Sequence, residues 1–285
     1  MADTTDSRRE RLRSQLKTAS TPLRPIITSL NGDNSWLWSF PRPSTERASS
    51  GKTYYHIVFE PWLNGPTSML SSWFIHIQAS KTPAATTAED VAAIVKDIEA
   101  AVGSPSSKSQ SDDDDLGIDA ILLGFHYLDH VHEPTLRLFD KRIPVIATPQ
   151  AAAIVEPWGH FDTVRRISDF KADATTWQDK ALHPGAPLPS WITPIKCLGH
   201  HELNYVLAVM WTHADENGQE VHEAILQSPH GTRLDCGPLQ AFLVSSPPTK
   251  KLAMFHGLKE SVTAGWKNTF GAEVSPFCIL PLLET

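Results

Sequence analysis

The stretch Ile118–Gly159, IDAILLGFHYLDHVHEPTLRLFDKRIPVIATPQAAAIVEPWG, decides the fold. IDAILLG is a nearly continuous apolar run, the pattern of a strand covered on both faces. It stops at Gly124 and opens into the polar loop FHYLDHVHEPTLRLF, followed by IPVIAT as a strand and PQAAAIVEPWG as a short helix. Strand, loop, helix, strand and helix in alternation predict an α/β layering.

Upstream, PIITSLNGDNSWLWSF reads as two short strands broken at Asn31-Gly32, a strong turn pair. TYYHIVFEPWLNGP gives a further strand, stopped by Pro61 and by Asn64-Gly65-Pro66. Its alternation of Tyr55, Ile57 and Phe59 with His56 and Val58 predicts packing mainly on one face. TTAEDVAAIVKDIEAAV reads as a helix capped by Thr87, with Glu89 and Asp90 in its first turn and a stripe of Val91, Ile94, Val95 and Ile98. The run of small polar residues and aspartates over 103–115 cannot bury apolar surface, so a disordered acidic loop is expected there.

Downstream, TVRRI, WITPIKCL, NYVLAVMW, HEAILQS and KLAMFHG predict more strands than helices. A plain doubly wound sheet fits that order poorly, and a sheet-on-sheet sandwich with outer helices fits it better. There is no repeat and no linker, so a single domain over 21–285 is expected after a flexible tail over 1–20.

The 285 residues are 41% hydrophobic and 20% charged, which suits a globular chain. A net charge of −7 offers no basic field for nucleic acid or an anionic membrane surface. The partner expected is therefore a small-molecule substrate or ligand. Three scattered cysteines, Cys197, Cys236 and Cys278, make no CxxC pair and suit a reducing compartment as small buried hydrophobes. With no secretory signal and no membrane span, a cytoplasmic location is expected. Oligomeric state is not legible.

Of thirteen histidines, several fall where strands end: FHYLDHVH, His200-His201 before a strand, and His230 and His256 after strands. Loops at the carboxyl edge of a sheet are where such folds collect functional groups. Imidazole and carboxylate are the usual ligands of Zn²⁺, of which three or four must converge. Each histidine alone has the plainer reading of a satisfied core or surface residue.

Phe125-His126-Tyr127-Leu128-Asp129-His130 resembles the HxHxDH loop of the metallo-β-lactamase-fold superfamily. Its Asp-His pair matches, while Phe125 and Tyr127 stand where the first two histidines would. VFEPWLNGP resembles the DPWL-type turn of the branch containing UlaG-like and fungal lactamase-superfamily proteins, with Glu60 in the aspartate position. The similarity spans roughly residues 25 to 260 and implies an αββα sandwich.

Residue by residue, the resemblance implies metal ligands at Asp129 and His130. It adds one at His200 or His201 (His201 is the one carried forward), one at His256, and His230 in place of the bridging aspartate. That set supports one zinc ion at most, or none. His126 and His132 are expected to face elsewhere.

The implied activity is metal-dependent hydrolysis of a small ester, lactone, lactam or thioester. Asp129 would be ligand or base, His230 a ligand or charge stabiliser, and Tyr127 an oxyanion donor or a packed ring. The alternative is a non-catalytic member of the fold that binds a small molecule or partner. A cysteine or GxSxG nucleophile has no support in the sequence. Trp62, Trp73, Trp158 and Trp191 read as core.

Overall fold

The computed structural model describes residues 5–18, 23–69, 75–77, 82–103, 117–256, 260–263 and 266–270. The chain forms two compact units, Met1–Val164 and Arg165–Thr285. The division falls inside a short strand, β8 (Val164–Arg166), with no linker, so nothing in composition marks it. The acidic stretch and Trp73 lie outside the described residues.

The first unit is built on a six-stranded sheet ordered β1-β2-β3-β6-β7-β8. β1 (Ile26–Ser29), β2 (Trp36–Pro41) and β3 (Tyr54–Phe59) run antiparallel. β3, β6 (Ala120–Leu123) and β7 (Val145–Ala147) run parallel. The β1–β2 turn uses Gly32 at φ 77°, a backbone state that glycine adopts without a Cβ clash. Between Pro41 and β3 lies a short helix, α2 (Ser44–Ser50), and β4 (Thr67–Met69) pairs with β5 (Ile75–Ile77).

α3 (Ala88–Ala101) starts as its sequence predicts. The Thr87 side chain accepts the Asp90 N–H while the Asp90 carboxylate accepts the Thr87 N–H, satisfying donors the helix cannot pair internally. Its stripe of Val91, Ile94, Val95 and Ile98 is buried with Leu37, Val58, Ile121, Leu123 and Val145 of the sheet and with Ala151, Ala152 and Val155 of α5 (Pro149–Val155). At about 1.5–3 kcal/mol for each large side chain taken from water, that stripe outweighs any propensity effect in fixing the helix. α1 (Thr5–Thr18) makes part of the expected tail helical, and Leu12 rests partly buried against this core.

One expectation is corrected in β3. Every residue from Tyr54 to Phe59 is buried, so the strand is covered on both faces. His56 is wholly buried because Glu99 of α3 and Ser39 of β2 bond its two ring nitrogens at 2.9 Å each. A polar side chain at the expected solvent face therefore found partners inside.

The second unit carries a five-stranded sheet ordered β13-β12-β11-β10-β9. β9 (Ser168–Phe170) and β10 (Ile192–Leu198) are parallel. β11 (Tyr205–Ala214) runs antiparallel to β10 and to β12 (Glu220–Ser228). β12 is parallel to β13 (Lys250–His256). A helix, α6 (Gly237–Leu243), lays Leu239 and Phe242 against Phe170, Ile195, Cys197, Val206, Ala208 and Leu226. β14 (Glu260–Thr263) and β15 (Trp266–Phe270) form a separate hairpin. Among the described residues the first unit is thus a sheet packed by helices and the second a sheet packed by one helix, the elements of the expected α/β sandwich. Among the described residues no helix is long and apolar enough to cross a membrane.

In the first unit the parallel strands β3, β6 and β7 all end on the same edge, which puts Glu60, Gly124–His132 and Thr148 on neighbouring loops. The β1–β2 turn joins that edge because β2 runs antiparallel into it. In the second unit the ends of β10, β12 and β13 and the start of β11 share an edge that carries His200, His201, His230 and His256.

Candidate functional site

His130 is the centre of the first unit's loop cluster. It follows a turn in which its own N–H and that of Val131 bond the Tyr127 carbonyl, at 2.8 and 2.7 Å, and its side chain is buried. Nδ1 lies 2.6 Å from Glu60 Oε2. A bond that short to a carboxylate fixes the proton on Nδ1 and leaves Nε2 as the basic nitrogen. Nε2 lies 3.7 Å from Asp129 Oδ2, so imidazole and carboxylate face the same volume.

Glu60 is wholly buried and both its oxygens are used: Oε1 accepts the Gly124 N–H at 3.1 Å while Oε2 takes His130. Its backbone N–H bonds Leu122 O at 3.0 Å and its carbonyl accepts the Ser35 hydroxyl at 2.7 Å. These ties hold a glutamate at φ 45°, in the left-handed region that L side chains avoid, at a cost of about 1–3 kcal/mol.

Asn34 closes the other side. Its amide nitrogen donates to the Asp129 carbonyl at 2.9 Å and sits 3.1 Å from His130 Nδ1. Its Oδ1 is buried without a hydrogen-bond partner among the described residues.

Charge follows this geometry. Burial pulls the His130 imidazole down, but Glu60, through its charge and its hydrogen bond, together with Asp129 and Asp33, holds it up at about 9. Asp33, next to Asn34 on the β1–β2 turn, is exposed as a residue, yet desolvation of its carboxyl raises it. Attraction from His130 opposes that shift, and repulsion from Asp129 adds to it. The ring is thus held as imidazolium near neutral pH, and a metal at Nε2 would have to displace that proton.

The remaining residues of the motif pack. Phe125 is wholly buried, edge-on to His130 with ring centroids 5.0 Å apart. Half-buried Tyr127 lies tilted on Phe125 at 4.6 Å and edge-on to His126 at 5.0 Å. His132 precedes α4 (Glu133–Leu136) and bonds Thr135 Oγ1 through Nδ1 at 2.8 Å, a local brace, and burial lowers its pKa.

The second unit's expected ligands lie on one sheet edge. Half-buried His256 ends β13 opposite Ser228, and half-buried His230 sits in the turn after β12. Exposed His201 is in the turn before β11, where its Nδ1 accepts the Leu203 N–H at 3.3 Å. Within this unit the three ligand types that converge are instead His200, Asp235 and Cys236, all within 4.8 Å of one another.

The residues of the first unit fit a metal in part. They offer one imidazole nitrogen, Nε2, and one carboxylate oxygen beside it, both donor types that Zn²⁺ takes. Among the described residues the pair belongs to no set of three His, Cys, Asp or Glu ligand atoms that all lie within 4.8 Å of one another, and Glu60 spends its carboxylate on Nδ1 and on the Gly124 N–H.

Asp129 and His130, adjacent in the sequence motif, lie in this loop cluster together with Glu60, whose bond to His130 the sequence does not signal. Asp33 and Asn34 also neighbour the pair, and their only signal in the sequence is the Asn31-Gly32 turn.

No protein-family model and no curated protein matches the chain. Among solved structures it is similar to an isothiocyanate hydrolase from Delia radicum gut bacteria, at 14% identity and a TM-score of 0.50, over 90% of this chain and 81% of that one. A possible metal-dependent hydrolase from Veillonella parvula aligns over 93% of this chain and 83% of its own, at 11% identity and a TM-score of 0.45. The first likeness shows the fold alone, which is the α/β fold of the class expected from the sequence.

Proposed function

We propose that the protein is a hydrolase of a small ester, lactone, lactam or thioester that uses one divalent metal ion held at Asp129 and His130. The observation that carries this reading is the 2.6 Å contact between Glu60 and His130 Nδ1. A carboxylate that orients an imidazole so that Nε2 is left as ligand is the usual support of a metal-binding histidine. Zinc is the ion the donor types favour, and when bound it supplies a Lewis acid for a carbonyl oxygen and an acidified water.

The chain's own part follows from position. Glu60 and Asn34 hold His130 and Asp129 in register, Asp33 adds negative charge, and Tyr127 presents a hydroxyl from the same loop. The ligand roles of His201, His230 and His256, and the narrower likeness to the UlaG-like branch, rest on the sequence pattern alone. The test is metal content and ester or lactam hydrolysis of the full chain purified without a histidine tag. His130→Ala and Asp129→Ala should each lose bound metal and activity. Wild type that stays metal-free and inert after addition of Zn²⁺ or Mn²⁺ would overturn the proposal.

One observation favours a second reading, a non-catalytic protein that binds a small molecule. Phe125 is wholly buried and packs on His130, filling a position where the resemblance expects an imidazole. A ligand bound equally well with and without chelator would select this reading.

A further inference from the structure

His200 and Asp235 are 35 residues apart in sequence, yet His200 Nε2 lies 3.1 Å from Asp235 Oδ1. With Cys236 they place a nitrogen, an oxygen and a sulfur within 4.8 Å of one another. The turn after β10 carries the histidine, and the loop between β12 and α6 carries the other two.

A buried frame holds the two loops that carry these side chains. Asn204, itself buried, donates its amide to the Gly231 carbonyl at 2.9 Å and to that of His230 at 3.4 Å, tying the two loops together. Gly199, next to His200, leaves no room for a side chain: a Cβ there would meet Asn204 O at 2.0 Å and Thr232 Oγ1 at 2.9 Å. Buried Thr232 in turn places its Oγ1 3.7 Å from Cys236 Sγ, holding the sulfur at the inner end of the cluster.

We propose that His200, Asp235 and Cys236 form a binding site for one zinc-class divalent cation. The set mixes imidazole, carboxylate and thiol, which Zn²⁺ accepts in tetrahedral sites, whereas Mg²⁺ and Ca²⁺ take oxygen donors. The sulfur is the inner ligand and the half-exposed His200 and Asp235 are the outer ones, leaving the fourth position open to solvent. In this structure Arg233 supplies the positive charge, with Nη2 2.7 Å from Asp235 Oδ2 and Nε 3.0 Å from Oδ1. Arg233 is itself half-exposed, so it gives way to an ion at little cost. Loading takes Cys236 as thiolate and releases its proton. The ion would then clamp the β10–β11 turn to the loop before α6.

The test is cobalt titration of the full chain after chelator stripping, because thiolate bound to Co²⁺ gives a near-ultraviolet charge-transfer band that His130 and Asp129 have no sulfur to produce. The band is expected in wild type, in His130→Ala and in Asp129→Ala, and is expected to be lost in Cys236→Ser. Exposed His200→Ala should weaken it while leaving the melting temperature of the apo chain unchanged, which covers the case in which Cys236→Ser does not fold. Arg233→Ala, by removing the competing cation, should saturate at lower cobalt. A wild-type spectrum without the thiolate band, or a band that persists in Cys236→Ser or at full strength in His200→Ala, overturns the site.

Discussion

His56 and His130 are both buried, both held by a glutamate and both in the first unit, yet their rings are engaged differently. His56 gives Nδ1 to Ser39 and Nε2 to Glu99, at 2.9 Å each, so the ring has nothing left to offer. His130 gives Nδ1 to Glu60 and keeps Nε2 without a hydrogen bond among the described residues, facing Asp129. Burial and a carboxylate partner do not tell the two apart. The spare nitrogen does, together with what lies in front of it.

The largest expected effect breaks the comparison from the structural side. Glu99 accepts the N–H groups of Thr53 and Tyr54 as well as His56, all buried. Glu99→Ala should therefore cost about 3–5 kcal/mol in urea unfolding, with metal content per folded molecule unchanged. A loss of metal equal to that in His130→Ala would show that the two histidines are not independent.

Glu60→Gln is the matching change on the other side. It keeps a hydrogen-bond acceptor but removes the charge, and should weaken metal binding about 10- to 100-fold, read by competition with a chromogenic chelator. Unchanged affinity would return His130 to the same structural class as His56. Ser39→Ala is milder: it removes one partner of His56 and should cost about 1 kcal/mol, read by the denaturation midpoint, with no effect on metal.

The smallest effect sharpens the rule with a third histidine. His222 bonds Thr212 Oγ1 at 2.9 Å through Nδ1 and packs on Trp177, while the exposed Glu220 carboxylate stands 3.5 Å from Nε2. Burial lowers its pKa below 6.5, against attraction from Glu220 and with added repulsion from His213. The folded state then favours the neutral ring. Its contribution is complete above the unfolded value of about 6.5 and is lost as pH falls from there through the lowered folded value. Stability in His222→Gln should be less sensitive to acid across that window than in wild type, and equal sensitivity would mean that His222 is not buried as neutral imidazole.

The strands were legible because their apolar runs are long and bounded by turn pairs, as in IDAILLG and at Asn31-Gly32. The burial of His56 was not, since a polar residue in a strand reads as facing water until a partner such as Glu99, 43 residues on, is known. Asp129 and His130 could be picked out because they are adjacent in one loop. Glu60 was visible only as an odd occupant of an aspartate position, because its bond to His130 spans 70 residues and depends on β3 and β6 being neighbours. His200, Asp235 and Cys236 were illegible for the same reason: sheet register, which sequence does not display, brings them together.

Glu60 also bears on which substitutions its position can accept. Its backbone, at φ 45°, suits glycine, asparagine or aspartate, while its task needs a carboxylate that reaches both Gly124 N and His130 Nδ1. Glycine would relax the turn and leave the imidazole without an anion. Aspartate would sit more comfortably and stop one methylene short. The position is thus a compromise in which backbone ease has been traded for reach, and any drift toward ease should show first as a looser histidine, well before the fold itself gives way.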